Sequence, residues 1–92
     1  MPFNIASYAI FTQMVAQCVN MVPDTFIWTA GDTHIYTNQV EGTLEQLARV
    51  PGTFPIMKLN PERRCIDDFV EADFELVDYD PQGPIDFGPV AV

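Results

Sequence analysis

Positive charge is scarce in this 92-residue chain, which has 4 Lys and Arg against 13 Asp and Glu and a formal net charge of −9 at pH 7. Nucleic-acid backbones and anionic membrane surfaces repel acidic proteins, so we expect no DNA, RNA or membrane partner. Two cysteines and one histidine are too few for a disulfide scaffold or for a zinc site built on a histidine pair. The sequence therefore predicts a cytoplasmic protein with no metal.

Familiar catalytic signatures are also missing. The chain contains neither the Gly-x-Gly-x-x-Gly fingerprint nor a P-loop, so no dinucleotide or phosphate cradle is indicated. Cys18 lies in an apolar stretch, which is typical of a small core residue, and Cys65 is expected to be an exposed thiol on a loop. The 48% hydrophobic content argues against disorder and predicts a folded core.

The first 23 residues contain no charged side chain. A signal peptide would need basic residues at its start, and polar residues such as Gln13 and Gln17 are unfavourable in a membrane span. The apolar spacing predicts a soluble helix within residues 3–22 that is buried on nearly every side. The remaining chain can hardly surround roughly 30 Å of such a helix. We therefore infer that the chain has a partner or is part of something larger.

The rest of the chain predicts a mixture of helix and strand, which makes the fold class α+β. A further helix is expected to start at Asn38, with Glu41 as its capping-box partner, and to end at Pro51-Gly52. The eight acids after Cys65 are expected to form a solvated surface, and residues 82–92 an extended, mobile tail. The pattern of β-branched and aromatic residues predicts strands over residues 25–29, 33–37, 54–59 and 74–77.

Two polar features stand out against the apolar background. Alternation would place Asp32, His34, Tyr36 and Asn38 on one face of a strand, which is either a solvent-exposed edge or a surface able to grip a hydroxyl or phosphate. Asn4 lies between two apolar residues at the start of the first helix. It is either an N-cap or a carboxamide that offers a donor and an acceptor to a planar ligand.

Several segments in order resemble the thymidylate synthase family. They are PFNIASYA over residues 2–9, FIWTAGDTHIYTN over residues 26–38, DFEL and YDP within residues 73–81, and PVAV over residues 89–92. The match covers only the C-terminal third or so of a family member. The resemblance implies that residues 1–92 are one incomplete segment of that fold, with a central buried helix, mixed-sheet strands, short helices and an extended C-terminal tail.

The resemblance also implies an activity, the conversion of dUMP to dTMP with 5,10-methylenetetrahydrofolate as cosubstrate. By position, Asn4 would pair with the uracil edge, and His34 and Tyr36 would bind the deoxyribose 3′-hydroxyl. The folate would be contacted by one residue of the first helix and three of the tail, namely Phe3, Val90, Ala91 and Val92.

The chain departs from the family at several positions, and these departures leave alternative functions open. The Pro-Cys-His context of the family nucleophile and the phosphate-binding arginines are absent, so an N-terminal chain carrying both is expected as partner, in a dimeric assembly of the two pieces. Ala30, Gln39 and the segment 86–88 also differ from the usual family residues. The alternatives are a non-catalytic nucleotide-binding or assembly module, and a relative that hydroxymethylates dCMP or dUMP.

Overall fold

The computed structural model describes residues 1–89, which form two α-helices and one two-stranded sheet. Helix α1 spans Pro2–Cys18 and helix α2 spans Val40–Ala48, while strands β1 and β2 span Ile56–Leu59 and Phe74–Val77. This small α+β arrangement confirms the predicted class. Three short 3-10 turns connect these elements, at Thr37–Gln39, Ile66–Asp68 and Glu71–Asp73.

Helix α1 forms where the apolar spacing predicts it but ends earlier than residue 22. Pro2 occupies the first turn, where the missing N–H has no helical partner to lose. At the other end Asn20 adopts a φ of +55°, the backbone N–H of Met21 donates to Ala16 O at 2.7 Å, and that of Asn20 donates to Gln17 O. This pattern is a Schellman motif with asparagine at the left-handed position. Asn20 therefore terminates the helix.

The predicted start of the second helix is wrong in detail. Asn38 lies in the 3-10 turn before α2, the N-cap is Gln39, and no side chain caps the helix. The Asn38 amide donates instead to the carbonyl oxygen of Pro89 at 2.9 Å. The capping box with Glu41 therefore does not form, because Asn38 lies within the 3-10 turn and not at the N-cap position of α2.

The sheet is one antiparallel pair, in which Ile56 faces Val77 and Leu59 faces Phe74. The prediction for residues 74–77 is confirmed, and that for residues 54–59 is confirmed from Ile56 onward. Pro55 has no N–H to donate to a ladder, which explains the later start. The mixed sheet is not found, since the described residues contain only this antiparallel pair.

The strands predicted over residues 25–29 and 33–37 do not form. Residues 21–36 carry no helix or paired strand, although they are rich in β-branched and aromatic side chains. A strand exists through hydrogen bonds to a neighbour, and the pair β1–β2 offers this segment none. The pairing that a strand requires is therefore not present for this segment in residues 1–89.

The chain is far more open than its length requires. Its radius of gyration is 16.7 Å, whereas a compact chain of this length has about 12 Å. Its accessible surface is 7985 Å², against about 5,400 Å² expected for a folded monomer of this mass. Ala16 is the one apolar side chain buried in the described structure. The predicted core is consequently not assembled by these residues alone.

The apolar faces of both helices lie open. Phe3 is 85% exposed on α1, and the apolar stripe of α2, which the sequence predicts as Val40, Leu44 and Leu47, is 45 to 75% exposed. The burial of α1 on nearly every side thus stays a prediction for a larger assembly. Across residues 1–89, neither helix has both the length and the apolar character that a membrane crossing demands.

We expect the isolated chain to self-associate or to bind an apolar dye. Exposed apolar faces this large are unfavourable in water and are removed by association. Size-exclusion chromatography across a concentration series, with dye fluorescence in parallel, measures both properties. A compact monomer that leaves the dye dark would contradict the inference that these faces need a partner.

Candidate functional site

The first group of predicted site residues lies on the first turn of α1. The backbone N–H of Asn4 donates to Met1 O at 3.1 Å, and Met1 is the helix N-cap, with no side-chain capping bond. Asn4 is therefore not an N-cap. Its carboxamide is exposed and makes no hydrogen bond within residues 1–89, so its donor and acceptor are both available to a ligand.

The second group lies in the irregular segment before α2. The His34 and Tyr36 rings meet edge to face, with centroids 5.1 Å apart and an interplanar angle of 68°. His34 Nδ1 lies 3.5 Å from Asp32 Oδ1, which is a long and weak contact. The backbone carbonyl of Tyr36 accepts from Gln39 N at 2.9 Å and begins the turn that leads into α2. An imidazole and a phenol therefore sit side by side without the predicted strand.

The structure does not join these two groups. Among the described residues, no hydrogen bond, ion pair or ring contact connects Asn4 with His34 or Tyr36. The fourth member of the predicted polar face, Asn38, is turned towards Pro89. Within the described residues these two groups therefore do not form one site.

Phe3 lines a groove together with residues near the C-terminus. This groove of about 950 Å³ is lined by Phe3 and Arg49, by Tyr79, and by Pro84 and Phe87 of the tail. The resemblance implies that Phe3 and three residues of the tail contact the folate. Val90, Ala91 and Val92 lie outside the described residues.

A buried carboxylate holds the loop between β1 and β2, and the sequence did not reveal it. The side chain of Asp73 is 4% exposed. Its Oδ2 accepts from Arg63 Nε and from Val70 N, each at 2.8 Å, and its Oδ1 accepts from Asn60 Nδ2 at 2.7 Å. Asp73 is therefore an exception to the predicted solvated acidic surface.

These donors stabilise the charged form of the carboxyl. The hydrogen bond from Arg63, followed by those from Val70 and Asn60, lowers the pKa of Asp73 from its usual 3.8 to about 2. The hydrogen bond to Asp73 in turn raises the pKa of Arg63 above its usual value. Asp73 therefore stays ionised through the whole neutral and mildly acidic range.

Helix α1 is tied to this loop through Gln17. Its Nε2 donates to the carbonyl oxygens of Asn60 and Arg63, both at 2.8 Å. Because Asn60 and Arg63 also bind Asp73, one polar network fixes the end of α1 against the β1–β2 connection. In the sequence Gln17 is a polar residue on a largely apolar helix. There it served only as an argument against a membrane span.

No group of three or more metal-ligating side chains comes together anywhere in residues 1–89. Cys65 is exposed and Cys18 is half-buried on α1. The guanidinium of Arg63, two residues before Cys65, is held by Asp73.

Comparisons with known proteins show similarity along the chain. A family model described as thymidylate synthase matches residues 1–92. The chain is 51% identical over 85 residues to the bifunctional dihydrofolate reductase-thymidylate synthase of Glycine max, 49% to the second such protein of Arabidopsis thaliana and 46% to that of Zea mays. Each match covers 92% of this chain but only 15 to 16% of the relative, in its C-terminal part.

We expect the Asp73 carboxylate to make stability fall with acid. Because its folded pKa is depressed, its contribution is complete above the unfolded value near 3.8 and is lost as the pH falls through about 2. Urea unfolding from pH 6 to pH 2 measures this, with Asp73→Asn less stable at pH 6 and less dependent on pH.

Asp67→Asn, at an exposed acid of the same loop, is the matched control and should keep the wild-type slope. The carbon-13 titration of the Asp73 carboxyl supplies the pKa directly. Equal slopes for wild type and Asp73→Asn would show that the network does not stabilise the charge.

Proposed function

Since the chain belongs to the thymidylate synthase family, we propose that it is the C-terminal piece of such an enzyme and contributes to the reductive methylation of dUMP to dTMP. The family match over residues 1–92 supports this, together with the free carboxamide of Asn4 and the adjoining His34 and Tyr36. The 5,10-methylenetetrahydrofolate cosubstrate supplies the one-carbon unit and the hydride. The relatives are about six times longer, so the rest of the machinery is expected from further chain.

Asn4 is proposed to select uracil. The edge of uracil presents the O4 acceptor and the N3–H donor, and one carboxamide offers the complementary donor and acceptor. The first turn of α1 holds Asn4 next to Phe3, whose exposed ring faces the groove that is proposed for the folate. The base and the cosubstrate would therefore meet over the start of one helix.

His34 and Tyr36 are proposed to bind the 3′-hydroxyl of the deoxyribose. Their edge-to-face contact at 5.1 Å places an imidazole nitrogen and a phenolic oxygen on neighbouring rings. A hydroxyl can both donate and accept, so it can satisfy both groups at once. The contact restricts the two rings before a ligand arrives and lowers the entropy lost on binding.

An N-terminal chain is proposed as the partner, in a dimeric cytoplasmic assembly of both pieces. It would supply the cysteine nucleophile that adds to C6 of uracil, and the arginines for the phosphate. The open apolar faces of α1 and α2 support this, because they leave a surface for that chain to cover. Phe3, with Val90, Ala91 and Val92, would then close the folate side and exclude water.

We expect the chain to form dTMP only when it is combined with an N-terminal thymidylate synthase piece. Either piece alone should be inactive, because this chain lacks the nucleophile context and the other lacks Asn4. Incubation with dUMP and methylenetetrahydrofolate, followed by chromatography of the nucleotides, measures the product. A folded complex that binds dUMP without turnover would instead indicate the non-catalytic module, and 5-hydroxymethyl nucleotide as product would indicate the hydroxymethylase relative.

We expect Asn4→Asp to reverse the base preference of that complex. The carboxylate repels O4 of uracil but accepts from the amino group of cytosine, so kcat/KM for dUMP should fall about 10- to 100-fold, the range for one unsatisfied buried group. Parallel kinetics with dUMP and dCMP check this. An unchanged dUMP to dCMP ratio would remove Asn4 from the base site.

A further inference from the structure

Residues 82–89, which we call the tail strap, lie along α2 in the opposite direction. At its start, Gln82 Nε2 donates to Val50 O at 2.8 Å, and Arg49 Nη1 donates to the carbonyl oxygen of Gly83 at 2.6 Å. At its end, Asn38 Nδ2 donates to Pro89 O at 2.9 Å. The strap is therefore fastened at both ends of the helix.

Between these ends the ring of Phe87 rests on Gly42, a buried glycine of α2. A Cβ at residue 42 would stand 2.8 Å from Cδ1, 3.2 Å from Cε1 and 3.3 Å from Cγ of Phe87. Two non-bonded carbon atoms do not approach so closely, so only glycine leaves room for the ring in this position. By contrast, a Cβ added at Gly83, in the strap itself, would meet nothing within 4 Å.

A local turn presents Phe87 to this seat. Asp86 Oδ1 accepts from the backbone N–H of Gly88 at 2.8 Å, and Gly88 has a φ of +72°. An Asx turn followed by a left-handed glycine needs these residue types. The segment 86–88, which departs from the usual family residues, is thus a structured turn. It places the Phe87 ring where Gly42 of α2 has no side chain.

Phe87 also reaches the groove beside α1. It lines the same groove as Phe3, with Pro84 and Ile85 of the strap on the same wall. Any displacement of the ring from Gly42 therefore changes the wall that faces Phe3.

We propose that Phe87, seated on Gly42, is a positioning residue that fixes the tail-strap wall of the Phe3 groove and thereby sets the affinity for the folate cosubstrate. The folate assignment rests on the proposed function, whereas the seat on α2 rests on the described contacts alone. The pair acts through the strap and does not itself take part in the reaction.

The test is a double-mutant cycle in the complex with the N-terminal piece. Gly42→Ala and the matched control Gly83→Ala add the same methyl group, one into the ring and one into open space. Equilibrium binding of methylenetetrahydrofolate in the presence of dTMP, the product nucleotide, gives the affinity because no turnover can follow. Gly42→Ala should weaken folate binding about tenfold, a modest part of the loss known for misplaced binding groups, and Gly83→Ala should leave it unchanged.

The Phe87→Ala background separates the seat from a general effect on α2. Without the ring, the added methyl group has nothing to displace, so Gly42→Ala should have no further effect on folate binding. The affinity for dUMP alone should stay within about twofold in every variant, because the groove is separate from Asn4, His34 and Tyr36. Nuclear Overhauser contacts between the Phe87 ring and the Gly42 methylene protons should be present in wild type and lost in Gly42→Ala.

The outcomes are distinguishable. Equal folate affinity for Gly42→Ala and Gly83→Ala, or the same loss with and without the Phe87 ring, would overturn the positioning role even if dTMP is formed. The expected pattern of affinities in a complex that forms no dTMP would support the positioning role and reject the proposed reaction.

Discussion

The buried carboxylate of Asp73 is the constraint on which the described structure depends. A charge without hydrogen-bond partners is costly away from water, and Asp73 finds its partners at three points of the β1–β2 connection, at Asn60, Arg63 and Val70. Those contacts determine the course of the long connection between β1 and β2, and Gln17 extends them to α1. In a chain with almost no apolar core, polar contacts rather than packing hold the first helix to the sheet.

The sequence predicts best those elements that are determined by residues close together in the chain. The apolar run of α1 and the strand over residues 74–77 follow from local pattern, and both are confirmed. The strands over residues 25–29 and 33–37 fail because strand pairing is not a local property. Asp73 could not be distinguished from the other late acids, since its burial depends on Arg63, ten residues earlier. The place of Asn38 likewise depends on a carbonyl 51 residues away.

The candidate site shows the same difference between features that neighbouring residues determine and features that depend on distant parts of the chain. The neighbouring rings of His34 and Tyr36 survive the loss of the predicted strand, because residues two apart stay close in most backbone conformations. Asn4 makes no contact with them among the described residues. The strongly acidic composition fits the proposed partner chain, since a phosphate would need basic groups that this chain does not supply in number. The family relationship and the open apolar faces both support the proposal of a further chain.

The tail strap has a consequence for how this part of the chain tolerates change. Its fastenings to α2 at Gly83 and Pro89 are made through main-chain carbonyls, which every residue type carries. Substitutions at residues 83 and 89 therefore leave these two hydrogen bonds intact. Chain length is different, because one residue inserted or removed between Gly83 and Phe87 would carry the ring past the notch at Gly42. The strap is accordingly tolerant of substitution at residues 83 and 89 but intolerant of a change in spacing between Gly83 and Phe87.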